Sequence, residues 1–274
     1  MRLRDLDIVV ISDLHLGTYG AHAEELSHYL KSINPKMIIL NGDIIDMWQF
    51  SKSYFPAAHF NVLQILINKM NQGSQIIYLT GNHDDLLRKF SDLKLGSLQI
   101  RDKLTLKING KNYWFFHGDV FDVSVNYAKW IARLGGKGYD LLIRLNRLVN
   151  RVLKKYGQPP KSFSKKIKNN IKNAVKFISD FEKTTAELAI ENDFDYVVCG
   201  HIHHPCIRKI ETQNGKVTYM NSGDWVENLT ALEYVGGSWK LFEYLGQMTY
   251  DKEIRTSSAT IIESEYITSD VSNL

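Results

Sequence analysis

Residues 7–17 read DIVVISDLHLG, a run of β-branched residues that stops abruptly at the polar and ionisable residues around Asp13 and His15. A near-continuous apolar run of this length is typical of a strand that is buried on both faces. Two later segments repeat the arrangement, KMIILNGD at 36–43 and QIIYLTGN at 75–82. Helical stretches separate these runs, and strands that alternate with helices predict an α/β fold.

Further strands are predicted later in the chain. The segments YWFF at 113–116 and DYVVC at 195–199 resemble the first three runs. After Cys199 the pattern changes to alternating residues, with turn sequences at 213–215 (QNG) and 236–237 (GG). These features predict antiparallel hairpins and therefore a second sheet.

Each of the five apolar runs is followed by side chains that can bind a metal ion. In chain order these candidate ligands are Asp13, His15, Asp43, Asn82, His117, His201 and His203. In open α/β sheets, ligands bind at the carboxyl ends of the strands, so residues distant in sequence are expected to converge there. The alternative is that these residues are helix caps, turn formers and satisfied core histidines, which is less favoured for the set as a whole.

The donor set indicates which ions such a site would bind. Four imidazoles, two carboxylates and one amide suit borderline divalent ions such as Mn, Fe, Zn or Co. Seven ligands are too many for one tetrahedral ion but fit two ions that share a carboxylate, for which Asp43 is the expected bridge. In Asp-x-His and His-x-His, alternate side chains of an extended segment lie on one side, so both members can face the ions.

Size and composition set limits on the rest of the molecule. A chain of 274 residues can bury a large core, as one domain with an insertion or as two domains. Two cysteines are too few for a disulfide framework, which favours a reducing cytosol. The charged N-terminus does not resemble a secretory signal, and no segment has the ~20 apolar residues of a membrane span.

A basic helical stretch separates the fourth and fifth apolar runs. The formal charge of the chain is +4, yet residues 133–176 hold thirteen Lys or Arg and a single acid. Within 139–155, leucine and valine occupy one helical face while arginines and lysines occupy another. Such a helix can lie on anionic lipid or cover an active site, or it can simply be solvated. We predict a core of residues 1–123 and 192–246, an inserted helical lid at 124–191, and a mobile tail at 247–274.

The motifs that contain the candidate ligands occur in an order that is found in a known protein family. Asp-x-His, Gly-Asp-x-x-Asp, Gly-Asn-His-Asp, His-Gly-Asp and Gly-His-x-His, each after a predicted strand, resemble the calcineurin-like metallophosphoesterase superfamily over about the first 225 residues. The resemblance implies a four-layer α/β/β/α sandwich with a dinuclear metal centre. By matching motifs, one ion would be held by Asp13, His15, Asp43 and His203, and the other by Asp43, Asn82, His117 and His201.

The residue after Asn82 has a different implied role. His83 would lie beside the metals and stabilise phosphoryl oxygens or protonate the leaving group, with Asp84 able to orient it. A hydroxide between the two ions would attack the phosphate, so no protein nucleophile is needed. In agreement, the sequence has neither a Gly-x-Ser-x-Gly elbow nor a Walker loop.

A closer resemblance is to the UDP-2,3-diacylglucosamine hydrolases of the lipid A pathway, a branch with a helical lid at the position of the insertion. Further matches are GDIIDMW at 42–48 and GDW at 223–225. One departure is His83, because the best-known members of that branch have arginine at this position. The departure bears on the substrate and leaves the metal chemistry unchanged.

The resemblance implies cleavage of the pyrophosphate of a lipid-linked nucleotide sugar, giving UMP and an acylated sugar phosphate, with two divalent ions, manganese first among them. The expected location is cytoplasmic, at the inner face of an anionic membrane, and nucleic acid is not an expected partner. Alternatives are another phosphoesterase acting on nucleotides, phospholipid heads or phosphoproteins, and a scaffold without catalysis. Candidate substrate contacts are Asp46, Trp48, Arg88, Asp122, Asn126, Arg144 and Arg147. His22, His28, His59 and His204 are expected to be surface or packing residues.

Overall fold

Two sheets form the centre of the fold in the computed structural model, which describes residues 3–48, 54–121 and 164–244. The first sheet contains strands β1 (Arg4–Ile11), β2 (Ile33–Asn41), β3 (Gln75–Leu79), β4 (Lys94–Leu95), β5 (Leu98–Arg101), β11 (Thr230–Val235) and β12 (Ser238–Glu243). The second contains β6 (Lys103–Ile108), β7 (Lys111–Phe116), β8 (Tyr196–Cys199), β9 (Cys206–Thr212) and β10 (Gly215–Asn221). The strand orders are β12-β11-β1-β2-β3-β5-β4 and β6-β7-β8-β10-β9.

Within the described ranges, three helices flank the sheets: α1 (Ala23–Ser32), α2 (Ala57–Asn71) and α3 (Ser164–Glu191). Short 3₁₀ helices at Asp85–Phe90 and Asp119–Phe121 follow β3 and β7. Among the described residues, no helix is long and apolar enough to cross a membrane.

The alternation of side chains along β1 explains the layers. Val9 pairs with Ile38 of the parallel strand β2, and both belong to a core beneath α1 and α2. The next pair, Val10 and Ile39, faces the opposite way and packs between the two sheets. Because successive residues of a strand point to opposite faces, one apolar run fills two separate cores.

A third core lies on the outer face of the second sheet. Phe181, Ala186 and Ala189 of α3 are buried there against Val197 and Tyr219. The layers are therefore two helices, a seven-stranded sheet, a five-stranded sheet and α3. The predicted four-layer α/β/β/α fold is confirmed.

The predicted strands and hairpins are found, and the structure differs from the prediction in three respects. The antiparallel pairs β9–β10 and β11–β12 are the two expected hairpins, but they belong to different sheets. Strand β2 begins at Ile33, earlier than the apolar run suggests, because residues 33–35 continue the pairing with β1. Strands β4, β5 and β6 were not predicted.

Part of the predicted insertion can be placed. Its last segment is the single helix α3, whose second half forms the outermost layer of the sandwich. Asp122, Asn126, Arg144, Arg147, the basic segment 139–155 and the tail 247–274 lie outside the described residues. The division into core, lid and tail therefore stays a prediction.

Candidate metal centre

The loops that follow β1, β2, β3, β7 and β8 meet at one edge of the two sheets. Backbone hydrogen bonds join them: Asp13 N–H donates to the carbonyl of Gly42 (3.0 Å), and His15 N–H donates to that of Asp43 (3.0 Å). Gly200 N–H donates to the carbonyl of His117 (2.9 Å), which links the two ligand-bearing loops of the second sheet. The side chains at this edge are therefore held on a hydrogen-bonded backbone.

Three groups of potential ligands share members and form one continuous cluster. Within each group the ligand atoms lie within 4.8 Å of one another. The groups are Asp13, His15 and His203; His15, Asp43 and His83; and Asp43, His117 and His201. The structure thus brings together all six histidine and aspartate ligands proposed from the sequence, and it adds His83.

The two carboxylates are arranged alike, with one oxygen tied to the backbone and the other turned to an imidazole. Asp13 Oδ2 accepts the N–H of His201 (3.0 Å), and its Oδ1 lies 3.2 Å from His203 Nε2. Asp43 Oδ1 accepts the N–H of His83 (2.8 Å), and its Oδ2 lies 3.2 Å from His117 Nε2. Asp43 also belongs to two of the three groups, as a bridging carboxylate would.

A hydrogen bond to the backbone orients the His117 ring towards the cluster. Its Nδ1 lies 2.8 Å from the carbonyl oxygen of Asn41, to which an Nδ1–H donates. This bond leaves Nε2 as the free ring nitrogen, facing Asp43. A metal-ligating histidine is commonly fixed in this way by a backbone carbonyl on its other nitrogen.

Orphaned polar atoms test whether these residues fit a metal. Asp13 Oδ1, Asn82 Oδ1 and His117 Nε2 are buried, and none makes a hydrogen bond of regular geometry among the described residues. Asp13 Oδ1 and His117 Nε2 have the 3.2 Å contacts with His203 and Asp43 given above. Leaving a buried polar atom without a hydrogen bond costs about 1–3 kcal/mol, and in this cluster the cost is clearest for Asn82 Oδ1. A divalent cation would satisfy all three, and the family-implied metal therefore fits the donor set.

The charges at the site are strongly coupled. Burial opposes ionisation of Asp13, but the His117 and His203 rings outweigh it and lower the pKa of that carboxyl. Burial likewise opposes ionisation of Asp43, whose pKa is lowered by His117. Burial alone would lower the pKa of His203, yet its contact with Asp13 raises that pKa to about 9. A metal ion bound here would take the place of the protons on these imidazoles.

Backbone strain is concentrated at the same residues. Asp13, His15, Asp43, His201 and His203 have φ of +54°, +46°, +55°, +68° and +49°. Non-glycine residues rarely adopt positive φ, and such residues cluster at functional sites where the surrounding structure enforces them. Five of the nine described non-glycine residues with positive φ are candidate ligands.

Two glycines allow the loops to approach one another. A Cβ at Gly42 would overlap the His117 ring, and a Cβ at Gly81 would overlap Oδ1 of Asp43. Gly42 also has φ of +84°, which a side chain would disfavour. The glycines of the two motifs are thus needed for the close packing of the ligand loops.

His83 lies beside the cluster in contact with three groups. Its Nδ1 is 2.9 Å from Asp46 Oδ2, and the Trp48 ring lies 4.3 Å from its own ring between centroids. The ring of His15 meets it edge-on at 4.6 Å. Burial alone would lower the pKa of His83, but Asp46 and Asp43 raise it.

The acid that contacts the His83 ring is Asp46 rather than Asp84, which differs from the sequence-based expectation. Asp84 Oδ1 accepts the N–H of Gly81 (2.5 Å). Its Oδ2 accepts the N–H of Ile44 (2.9 Å) and the hydroxyl of Tyr78 (2.6 Å). Asp84 therefore ties the loops after β2 and β3 together.

Asp46 was expected to contact substrate, but in the structure it contacts the rings of two histidines. Its Oδ2 lies 3.2 Å from His15 Nδ1 as well as 2.9 Å from His83, and the residue is 1% exposed. The sequence signal is the second acid of GDIID at 42–46, but the spacing alone does not show that the loop turns it onto both rings. Arg88, another expected substrate contact, forms an ion pair with Asp119 at 2.5 Å.

Comparison with known proteins also indicates a phosphoesterase. The family model described as calcineurin-like phosphoesterase matches residues 6–205. UDP-2,3-diacylglucosamine hydrolase of Blochmanniella pennsylvanica is 25% identical over 75% of this chain and 82% of its own length. The protein of that name from Stenotrophomonas maltophilia is 23% identical over 84% and 96%, respectively.

Among solved structures, similarity to this chain is low in both identity and TM-score. One is described as a novel archaeal phosphodiesterase (15% identity, TM-score 0.40, covering 86% of this chain and 98% of that one). Another is Vps29 of Chaetomium thermophilum (10% identity, TM-score 0.40, 86% and 94%). The resemblance read from the motifs is confirmed by the family match over residues 6–205, and the chain belongs to the calcineurin-like phosphoesterase family of hydrolases.

Proposed function

We propose that this chain hydrolyses the pyrophosphate of UDP-2,3-diacylglucosamine or a similar lipid-linked nucleotide sugar, giving UMP and an acylated sugar phosphate. The observation that carries the proposal is the continuous cluster of three ligand groups sharing His15 and Asp43. Relatives named UDP-2,3-diacylglucosamine hydrolase, which align over 82% and 96% of their length, support the choice of substrate.

In this proposal two divalent ions share the cluster. One is held by Asp13, His15, Asp43 and His203, and the other by Asp43, Asn82, His117 and His201. When bound, such ions lower the pKa of a water molecule towards neutrality and polarise the phosphate. The mixed donors suit manganese, which we take as the first candidate, and iron, zinc and cobalt as well.

His83 is the proposed catalytic residue outside the ligand set. Asp46 contacts its Nδ1, so Nε2 is the nitrogen left to face the reacting phosphate, and it lies 4.0 Å from Asp43 Oδ2. From this position an Nε2–H can donate to a phosphoryl oxygen or to the leaving group. Trp48, which lies over the His83 ring, limits how far the imidazole can rotate.

Exposed apolar residues close in sequence to His83 and His117 support an amphiphilic substrate. Leu86 and Phe90, which follow His83 in the chain, are 54% and 53% exposed, and Val120, which follows His117, is 64% exposed. Acyl chains are ligands that such surface would bind, and the apolar face of the predicted lid at 139–155 would add to it. Arg144 and Arg147 of that lid are proposed to meet phosphate, and its remaining basic residues an anionic membrane at the cytoplasmic face.

A substrate panel on the purified protein tests the proposal. With manganese present, we expect UMP to be released from UDP-2,3-diacylglucosamine, and metal content is measured on the same sample. UDP-N-acetylglucosamine, which lacks the two acyl chains, is the matched control and should react much more slowly. Efficient cleavage of simple phosphodiesters, nucleotides or phosphoproteins without cleavage of the acylated substrate would reject the substrate and keep the phosphoesterase chemistry.

A further inference from the structure

A second group of potential metal ligands lies outside the candidate metal centre, and the function proposed above does not use it. It consists of Glu182 on α3, His204 in the loop after β8, and Cys206 at the start of β9. We infer that this Glu182–His204–Cys206 cluster binds a further divalent cation of the zinc class. The inference does not depend on the identity of the substrate.

The separations within the cluster suit a single small ion. Glu182 Oε1 lies 3.2 Å from His204 Nδ1 and 4.0 Å from Cys206 Sγ, and one ligand atom of each residue lies within 4.8 Å of the others. Tetrahedral zinc with O, N and S ligands places those atoms about 3.3–3.7 Å apart, given its bond lengths. Side-chain shifts of up to about 1 Å would therefore complete the geometry.

The carboxylate of Glu182 is also held in place through its second oxygen. The residue is 6% exposed, and its second oxygen, Oε2, accepts a hydrogen bond from Arg208 Nη1 at 2.9 Å. Arg208 thus balances part of the buried charge and fixes the carboxylate plane, with Oε1 left towards His204 and Cys206. Outer groups that orient ligating carboxylates in this way are a regular feature of metal sites.

Neighbouring residues of one loop serve the two sites separately. His203 directs Nε2 to Asp13 of the candidate metal centre, whereas His204 directs Nδ1 to Glu182. The His204 side chain is 42% exposed, so water can reach the cluster and provide the fourth ligand. The bound ion would join α3 to the loop that carries His201 and His203.

The ligand chemistry selects the ion. Cys206 is a free cysteine, and it would bind as the thiolate, releasing its proton to solvent. A thiolate with an imidazole and a carboxylate favours zinc, cobalt or cadmium over magnesium and calcium, which prefer oxygen ligands. None of the seven ligands proposed for the dinuclear centre is a sulfur, so sulfur coordination distinguishes the two sites.

Cobalt substitution of the full chain tests the inference directly. We expect the metal-free protein loaded with Co²⁺ to show a near-ultraviolet sulfur-to-cobalt absorption band. The band should disappear in Cys206→Ser, together with one equivalent of bound metal. It should persist in Cys199→Ala, the matched control, because Cys199 is a free cysteine buried in the core of the same sheet.

A measurement on the unmutated chain covers the case in which a variant fails to fold. Zinc is expected to slow the alkylation of Cys206 by iodoacetamide, followed by mass spectrometry, by about tenfold or more, since only the free thiolate reacts. Magnesium at the same concentration should leave the rate unchanged. If the cobalt protein lacks the sulfur band and zinc gives no protection, the inference is overturned, and the cluster is an ion-pair network that fastens α3 to β9.

Discussion

His83 is held by an acid and two rings, and it lies close enough to Asp43 either to act on the substrate or to bind a metal. In the catalytic role, His83→Ala should lower the hydrolysis rate by about 10²–10⁴, the usual contribution of a positioned acid or base. Metal content, measured by elemental analysis, should not change. Loss of metal along with activity would instead make His83 a ligand.

A matched control for this substitution is His22→Ala. His22 lies before α1, and its ring lies 3.4 Å from Glu25. It belongs to none of the three ligand groups, so its removal should leave both rate and metal content unchanged. A comparable loss of rate in this variant would mean that the His83 effect reflects general destabilisation.

Gly42 and Gly73 separate the effect of backbone strain from that of a collision. Both have positive φ, +84° and +103°, but a Cβ at Gly42 would overlap the His117 ring while Gly73 has open space around it. Each alanine variant should lose about 1–2 kcal/mol of stability from the left-handed backbone. Only Gly42→Ala should also lose bound metal and activity, because it displaces a candidate ligand.

Thermal unfolding measures the loss of stability in the two variants, and metal analysis measures the loss of bound metal. If Gly73→Ala loses metal to the same extent, the glycine acts through overall stability. If Gly42→Ala retains full metal and activity, the approach of the ligand loops is looser than the structure describes.

The sequence predicts single residues well where a strand ends. Asp13 and Asp43 could be proposed because each follows an apolar run, and strand ends meet at a sheet edge. The contact of Asp46 with His15 and His83 could not, because it depends on how the loop after β2 turns. Glu182 and His204 are 22 positions apart, and only the packing of α3 on the second sheet brings them together.

Thr185 gives a test at the scale of a single element, helix α3. The residue is fully buried where the helix packs on the second sheet, and its hydroxyl has no hydrogen-bond partner among the described residues. A buried unsatisfied hydroxyl costs about 1–3 kcal/mol, so Thr185→Val should raise the free energy of unfolding by about 1 kcal/mol. Urea unfolding of the purified variant measures the change.

Thr184→Val is the control on the same helix. Thr184 is exposed, so this substitution has the same effect on helix propensity without removing a buried polar atom. We expect no stabilisation from it. If Thr185→Val is the less stable of the two variants, the hydroxyl is satisfied in solution and the helix packs differently there.

Some strands are easier to recognise from the sequence than others. The central strands β1, β2 and β3 are buried on both faces and could be recognised from continuous apolar runs. Strand β4 has two exposed residues, and β6 alternates between exposed and buried or half-buried positions, so neither shows such a run. The sequence also does not show that the two hairpins belong to different sheets, which is set by long-range pairing.

At the scale of the whole molecule, four tyrosines buried in the three cores make the stability of the fold depend on pH. Tyr29 lies on α1, Tyr78 on β3, Tyr113 on β7 and Tyr219 on β10, and all are less than 10% exposed. Burial raises the pKa of each phenol above its ordinary value. Acidic neighbours add to the effect for two of them, since Tyr29 donates to Glu233 (3.0 Å) and Tyr78 donates to Asp84 (2.6 Å).

These shifts predict loss of stability at alkaline pH. Above about pH 10 the phenols of the unfolded chain ionise while those of the folded chain stay protonated, so the unfolded chain binds fewer protons. The stability contributed by the buried phenols is therefore complete below about pH 10 and falls as pH rises further. Each such group contributes a slope of about 1.4 kcal/mol per pH unit to the free energy of unfolding.

Tyr29→Phe isolates one of these groups, because Arg4 still pairs with Glu233 at 2.9 Å after the hydroxyl is removed. Urea unfolding between about pH 8 and pH 11 should show the alkaline slope reduced by about 1.4 kcal/mol per pH unit in this variant. The exposed Tyr19→Phe serves as the control and should follow the parent chain. If Tyr29→Phe and the parent chain lose stability in parallel, the phenol ionises as readily in the folded chain as in the unfolded one. The core beneath α1 would then admit water, contrary to the burial described for it.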